Sequence, residues 1–177
     1  MSRVVELHKH AAPKSLRIFI ATCSTSRFKQ LRAGQKPDDE SGDIIENLVL
    51  RAGHQVEGRQ LVSDSKSMIR NLVRKTLSSS RIDVLIITGG TGLSPKDVTI
   101  ESVSRFLEKE APGFGELFRK LSYDKIGSAA MLSRALAGSA RGKLIFCIPG
   151  SPDGVQTAME HLILPEIGHM IKVSRES

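Results

Sequence analysis

Tryptophan is absent from this sequence, tyrosine occurs once and phenylalanine six times. The chain therefore has few of the aromatic faces on which nucleic-acid binders stack bases. No recognition module for nucleic acid is legible either, so nucleic acid is not an expected partner. Long hydrophobic runs are missing too. The longest, such as Val84 to Ile87 and Leu144 to Ile148, fall far short of the roughly 20 residues that a bilayer span needs, and no membrane partner is expected. Cysteine stands only at positions 23 and 147, each inside an apolar stretch. That argues against a disulfide framework or a four-ligand metal site and for buried, reduced thiols in a cytoplasmic protein. His54, His161 and His169 lack metal-ligand spacing. The opening residues hold neither an apolar signal core nor a small-residue cleavage site; residues 1–13 are expected to be a flexible leader and 14–177 a single domain.

What remains is ordinary globular composition, with 40% hydrophobic and 25% charged residues. At 177 residues a folded chain buries roughly two-thirds of its extended surface, enough for a core without staples. The excess of 26 Lys and Arg over 19 Asp and Glu gives a formal charge of +7, which draws anions without choosing among them.

Apolar spacing supplies the elements. Leu16 to Ala21 forms the first expected strand, and a long polar loop begins at Ser24 to Arg27 and runs through Gly42. Ile44, Ile45, Leu48, Val49 and Ala52 recur at helical spacing, with Ser41 or Asp43 as N-cap and Gly53 as the stop. His54 to Val62 is a second strand. Asp64 or Ser65 caps a helix whose stripe is Met68, Ile69, Leu72, Val73 and Leu77. Val84 to Ile87 has the continuous apolar character of a central parallel strand. Ile100 to Leu107 and Phe114 to Leu121 are expected helices, Lys143 to Ile148 a buried strand, and a last helix follows with Pro165 marking a kink or restart. Alternating strands and helices give an α/β fold, a three-layer α/β/α sandwich on a mostly parallel sheet. Ligands in such folds sit beyond the carboxyl ends of the strands. Four loops converge there: Cys23 to Arg27, Val62 to Ser65, Thr88 to Asp97 and Pro149 to Gly154.

The loop Thr88-Gly89-Gly90-Thr91-Gly92 leaves a strand with three glycines in four residues. Its bare amides, with two threonine hydroxyls, suit a phosphate or pyrophosphate. Sharp turn geometry alone would also use those glycines. It is neither a Walker loop nor a Rossmann fingerprint, since Lys96 lacks the Gly-Lys-Ser/Thr order and no Gly-x-Gly-x-x-Gly occurs. Asp64 and Asp97 each follow a strand and precede a helix. Each has two readings, a carboxylate holding Mg²⁺ against substrate phosphates or a helix cap. Pro149-Gly150-Ser151-Pro152 offers Ser151 as a hydrogen-bond donor, and Ser24 to Arg27 offers a second anion-binding cluster; both also fit plain turns.

These residues resemble the molybdenum cofactor biosynthesis proteins of the MoaB/MogA type. The resemblance spans most of the chain beyond the leader. It is carried by Asp39-Glu40-Ser41-Gly42, Ala52-Gly53-His54, Thr88-Gly89-Gly90-Thr91-Gly92-Leu93, Asp97-Val98-Thr99, Pro112-Gly113-Phe114-Gly115-Glu116, Leu132-Ser133-Arg134 and Pro149-Gly150-Ser151-Pro152. The resemblance implies a molybdopterin-binding α/β fold, a homo-trimer or a hexamer of two trimers, and Mg²⁺-dependent adenylylation of molybdopterin by ATP. The product would pass to a metal-insertion enzyme downstream. It implies catalytic and Mg²⁺-holding roles for Asp64 and Asp97. Ligand-binding roles fall to Thr88, Gly89, Gly90, Thr91, Gly92, Ser24, Ser133, Pro149, Gly150 and Ser151. Some relatives lack the first acid, and its presence as Asp64 favours an active enzyme. The family often has Asn where this chain has Ser151, and the opening Cys23 to Arg27 departs from the commoner Ser-Asp-Arg. A pathway protein that binds molybdopterin or its precursor without catalysis is the alternative. Pyrophosphate hydrolysis of nucleotides on the same fold is a further one.

Overall fold

The computed structural model describes residues 13–176, so the expected leader, apart from Pro13, lies outside the described residues. The chain opens with β1 (Arg17–Cys23), α1 (Thr25–Arg32), α2 (Glu40–Arg51), β2 (Gln55–Val62) and α3 (Lys66–Ser78). Then come β3 (Val84–Thr88), α4 (Thr99–Val103), β4 (Lys109–Glu110) and α5 (Pro112–Ile126). It closes with β5 (Leu136–Ala140), β6 (Lys143–Ile148), α6 (Pro152–Ala158), a π-helical turn (Met159–Ile163) and α7 (Leu164–Arg175). Among the described residues no helix is long and apolar enough to cross a membrane.

The strands form one sheet in the order β2-β1-β3-β6-β5-β4. The first four run parallel, while β5 and β4 add an antiparallel edge. The expected α/β sandwich on a mostly parallel sheet is present. Alternate residues of the central strands face opposite layers. Val84, Ile86, Leu144 and Phe146 pack with residues of α2, α5, α6 and α7 such as Ile45, Phe118, Val155 and Ile167. Leu85, Ile87, Ile145 and Cys147 pack against Ile69, Leu72, Val73 and Val103 of α3 and α4. The registers Thr22 to Thr88 and Thr88 to Ile148 bring three strand ends level, with Cys23 paired to Val62 alongside. The four predicted loops therefore leave the same edge.

Several local expectations are corrected. Ser24 to Arg27 does not open a polar loop. Ser24 caps α1, a helix with no buried residue and hence no apolar stripe to reveal it. The cap of α2 is Asp39, whose carboxylate accepts from Gly42 N at 3.2 Å, in place of Ser41 or Asp43. The short strands β4 and β5 carry Lys109, Glu110 and small residues, and neither shows strand-like alternation. The expected restart at Pro165 is present: regularity is lost at Met159–Ile163 and α7 begins anew with Pro165 in its first turn. Ile100 to Leu107 divides into α4 and a 3₁₀ turn, and α5 runs on to Ile126.

At the opposite, amino edge of the sheet Asp83 is buried and fully partnered. It accepts from Arg17 N at 2.9 Å, Arg17 Nε at 3.0 Å, Arg17 Nη2 at 3.1 Å and Arg175 Nη2 at 2.7 Å. Burial alone would raise its pKa, but the two guanidinium groups outweigh that and hold the carboxyl well below the usual range. A depressed carboxyl stabilises the fold fully above its unfolded value, about 3.9. That contribution fades as pH falls from there toward the folded value. Asp83→Asn is therefore expected to cost about 2 kcal/mol at neutral pH. The gap to the parent should begin to narrow below about pH 4, where the unfolded carboxyl protonates, and keep narrowing as pH falls toward the folded value. Urea midpoints measured from pH 7 to 3 check this, and a gap independent of pH would contradict it.

Candidate active site

The glycine loop is built by backbones that meet too closely for side chains. A Cβ on Gly89, at φ +91°, would lie 2.4 Å from Cys23 O, and one on Gly150 would lie 3.1 Å from Gly89 Cα. The first part of the loop belongs to the sheet: Gly89 N donates to Ile148 O at 3.0 Å and the Thr88 hydroxyl to Pro149 O at 2.8 Å. These two donors are already engaged, so the expectation that the whole loop offers free donors narrows to its second half. The amides of Gly90, Thr91 and Gly92 donate to no described residue. Their carbonyls are fixed from outside. Arg134 donates from Nε to Thr91 O and from Nη2 to Gly92 O, both at 2.8 Å, while Nη1 binds Glu101 Oε1 at 2.7 Å. That guanidinium draws the Glu101 carboxyl below its ordinary value.

Asp64 and Asp97 flank this second half. A Cβ on Gly90 would lie 2.8 Å from Asp64 Oδ1, and one on Gly92 would lie 2.8 Å from Asp97 Oδ2. The two acids thus stand beside residues two positions apart on one loop. Neither caps the helix that follows it. Ser65 caps α3 through Met68 N, and α4 has no side-chain cap. Asp97 Oδ2 accepts instead from Ser94 N at 3.2 Å, and Asp64 bonds across to Thr25. Behind them lies the buried Cys23 thiol, pushed up to about 12 by burial, with the Asp64 and Asp97 charges acting in the same direction. Such a thiol stays protonated and is no nucleophile at neutral pH. Burial likewise pushes Cys147 up, and both cysteines are free, as expected.

The remaining predicted residues divide between two hollows. Gly92 and Asp97 line one of about 280 Å³ with Lys66, Glu101 and Arg134. Ser133, Pro149 and Ser151 line another of about 150 Å³ with Lys125 and Thr157. Gly150 lines neither; it packs on Gly89 and its carbonyl accepts from the Ser41 hydroxyl at 2.8 Å. Ser24 stands apart: its hydroxyl accepts from Arg27 N at 3.4 Å as a helix cap. Three residues went unassigned from sequence. Arg134 and Ser41 stand inside stretches that carried the resemblance, where glycine and acid drew the attention. Thr25 entered only as a member of the Ser24 to Arg27 cluster read as anion-binding, not as a partner of Asp64.

A model of the probable molybdopterin binding domain matches residues 20–169. Molybdenum cofactor biosynthesis protein B of Bacillus cereus is 44% identical over 164 residues, covering 92% of this chain and 93% of that protein. The probable molybdopterin adenylyltransferase of Methanocaldococcus jannaschii is 36% identical over 167 residues, covering 94% and 99%. Among solved structures, a crystal structure of molybdenum cofactor biosynthesis protein B superposes with a TM-score of 0.85 at 42% identity, covering 94% of this chain and 99% of its own. The match therefore takes in the glycine loop, both acids and the strands that carry them, and the chain belongs to the family of molybdenum cofactor biosynthesis proteins built on the molybdopterin-binding domain.

Proposed function

We propose that this chain is a molybdopterin adenylyltransferase, acting on ATP and molybdopterin in molybdenum cofactor biosynthesis. An oxygen of the terminal phosphate of molybdopterin attacks the α-phosphorus of ATP. A new P–O–P bond forms, the bond from that phosphorus to the pyrophosphate oxygen breaks, and pyrophosphate leaves. The observation that carries this reading is the placement of two carboxylates against a glycine loop whose later amides have no described protein partner. Those amides of Gly90, Thr91 and Gly92 take phosphate oxygens, whose growing negative charge fixed donors stabilise without reorganisation. Thr88 and Gly89 hold the loop to the sheet. The hollow at Asp97, Lys66 and Arg134 receives the triphosphate, and Ser133, Pro149, Gly150 and Ser151 receive the pterin.

The donor set at the loop is all carboxylate oxygen. Among the described residues no group of three or more His, Cys, Asp and Glu gathers as a metal cage. That pattern fits Mg²⁺, which is commonly held by one or two carboxylates together with substrate phosphates. Asp64 and Asp97 would hold it, and its charge would offset the repulsion between the two phosphates. The same reading makes the protein a cytoplasmic homo-trimer or hexamer that passes its product to a metal-insertion enzyme.

An assay with molybdopterin, ATP and Mg²⁺ that follows AMP-linked pterin tests the proposal. Asp64→Ala and Asp97→Ala should each lower the rate by about 100-fold or more with the circular dichroism spectrum unchanged. Parent-like turnover in both would reject the site. A non-catalytic carrier would bind pterin in a calorimeter without binding Mg-ATP.

Gly90→Ala places a methyl group 2.6 Å from Thr99 Oγ1 and 2.8 Å from Asp64 Oδ1 at φ +64°. It should abolish transfer and lower stability by about 1 kcal/mol or more, read by the same assay and by thermal melting. Arg134→Lys keeps the charge but loses the fork that holds two carbonyls, and should raise KM for ATP about tenfold. An unchanged KM would show that the loop needs no such support.

A further inference from the structure

Asp64 is held asymmetrically. Its Oδ2 accepts two hydrogen bonds from a single residue, from the Thr25 amide at 2.9 Å and from the Thr25 hydroxyl at 2.7 Å. The Thr25 oxygen in turn accepts from Asp64 N at 3.1 Å. With its proton committed to the carboxylate, it also takes the Ser63 hydroxyl as a donor at 3.0 Å. Oδ1 is in a different situation. Its described donor is the Cys23 thiol at 3.2 Å, a weak one, and this is the oxygen that stands against Gly90.

The location of Thr25 explains the arrangement. It is the first residue of α1, where amides lack partners within the helix and the helix end favours negative charge. Ser24 supplies its oxygen to Arg27 N, and Asp64 supplies its own to Thr25 N. The helix buries no residue in the core, so polar anchors of this kind fix its start. A branched side chain at Thr25 has a restricted χ1, which keeps the hydroxyl in place.

We propose that Thr25 is a positioning residue: its amide and hydroxyl together anchor Oδ2 of Asp64 and so present Oδ1 to the glycine loop and to the divalent cation held there. The inference rests on the adenylyltransferase reading of the site. Thr25 touches no reacting atom in this account and acts through Asp64 alone. Valine at this position keeps the shape and the amide bond and removes the hydroxyl; serine keeps the hydroxyl.

The test measures Mn²⁺ binding by electron paramagnetic resonance, in the presence of α,β-methylene ATP, alongside kcat and KM for AMP transfer. Thr25→Val should weaken Mn²⁺ binding about tenfold, as loss of a ligand's supporting hydrogen bond does, and lower kcat about tenfold or more with KM for pterin unchanged. Thr25→Ser should restore both. In an Asp64→Asn background Thr25→Val should change neither quantity further, because residues acting as a unit are not additive. The proposal is overturned by parent-like Mn²⁺ affinity in Thr25→Val, by failure of serine to rescue, or by a full Thr25→Val effect in the Asp64→Asn background. A parent protein that makes no adenylylated pterin would sink the adenylyltransferase reading instead, and the Mn²⁺ comparison would still decide the role of Thr25.

Discussion

Three chain segments approach one another at the carboxyl edge of the sheet more closely than side chains allow, and the site depends on that approach. β1, β3 and β6 end level with one another. Cys23 O and Gly150 crowd Gly89 from two sides. Glycine is required at 89 for space and for its positive φ, and at 90 for the same two reasons. The consequence is a loop that passes directly over the strand ends, near enough for its own Asp97 and for Asp64 of the neighbouring loop to stand against its glycines. β2 and β3 both flank β1, which is why Asp64 and Asp97, 33 positions apart, each stand against a glycine of the same loop, Gly90 and Gly92.

A loop of bare backbone needs outside support, and this one receives it through its carbonyls. Arg134 takes Thr91 O and Gly92 O, the Thr99 amide takes Gly90 O, and the Thr99 hydroxyl takes Gly89 O. Four consecutive carbonyls are thus fixed, and the peptide planes fixed with them carry the amides of Gly90, Thr91 and Gly92 in set directions. Such pre-arrangement gives donors value, because groups already oriented do not reorganise when charge develops. Ser41 does the same for the neighbouring loop through Gly150 O, so α2 is tied to the site as well as to the core.

The sequence made the layers legible because apolar periodicity records burial. Val84 to Ile87, Leu144 to Ile148 and the α3 stripe of Ile69, Leu72, Val73 and Leu77 are buried as their spacing indicated, while Met68 of that stripe is half-buried. α1 escaped notice for the same reason, since a helix that buries nothing leaves no period to read. β4 and β5 escaped because a two-residue charged edge strand and a run of mostly small residues beside it lack alternation. In the site, glycines and acids stood out by residue type. The partners that orient them did not: nothing local distinguishes Thr25 from Ser26, or Arg134 from any other arginine. Their roles come from contacts across 39 and 43 positions of sequence, which pattern within one window does not carry.

Comparison of four aspartates shows where the fold leaves a carboxylate without a cationic partner. Asp83, at the amino edge, has both oxygens filled by Arg17 and Arg175, and its charge is cancelled within the protein. Asp39 is likewise shared among Thr22, Gly42 and Arg59. At the carboxyl edge the pattern changes. Asp97 accepts from one backbone amide, and Asp64 receives neutral donors alone, with one oxygen bound to little more than a thiol. No arginine or lysine forms an ion pair with either acid among the described residues, although the chain carries a formal excess of seven positive charges. A neutral donor fixes a carboxylate's direction and leaves its charge to act on something else. Arg134, close enough to bind the loop beside Asp97, is turned to Glu101. The cationic side chains of this protein pair with the acids that hold the fold together, and the two acids beside the glycine loop have no such partner among the described residues.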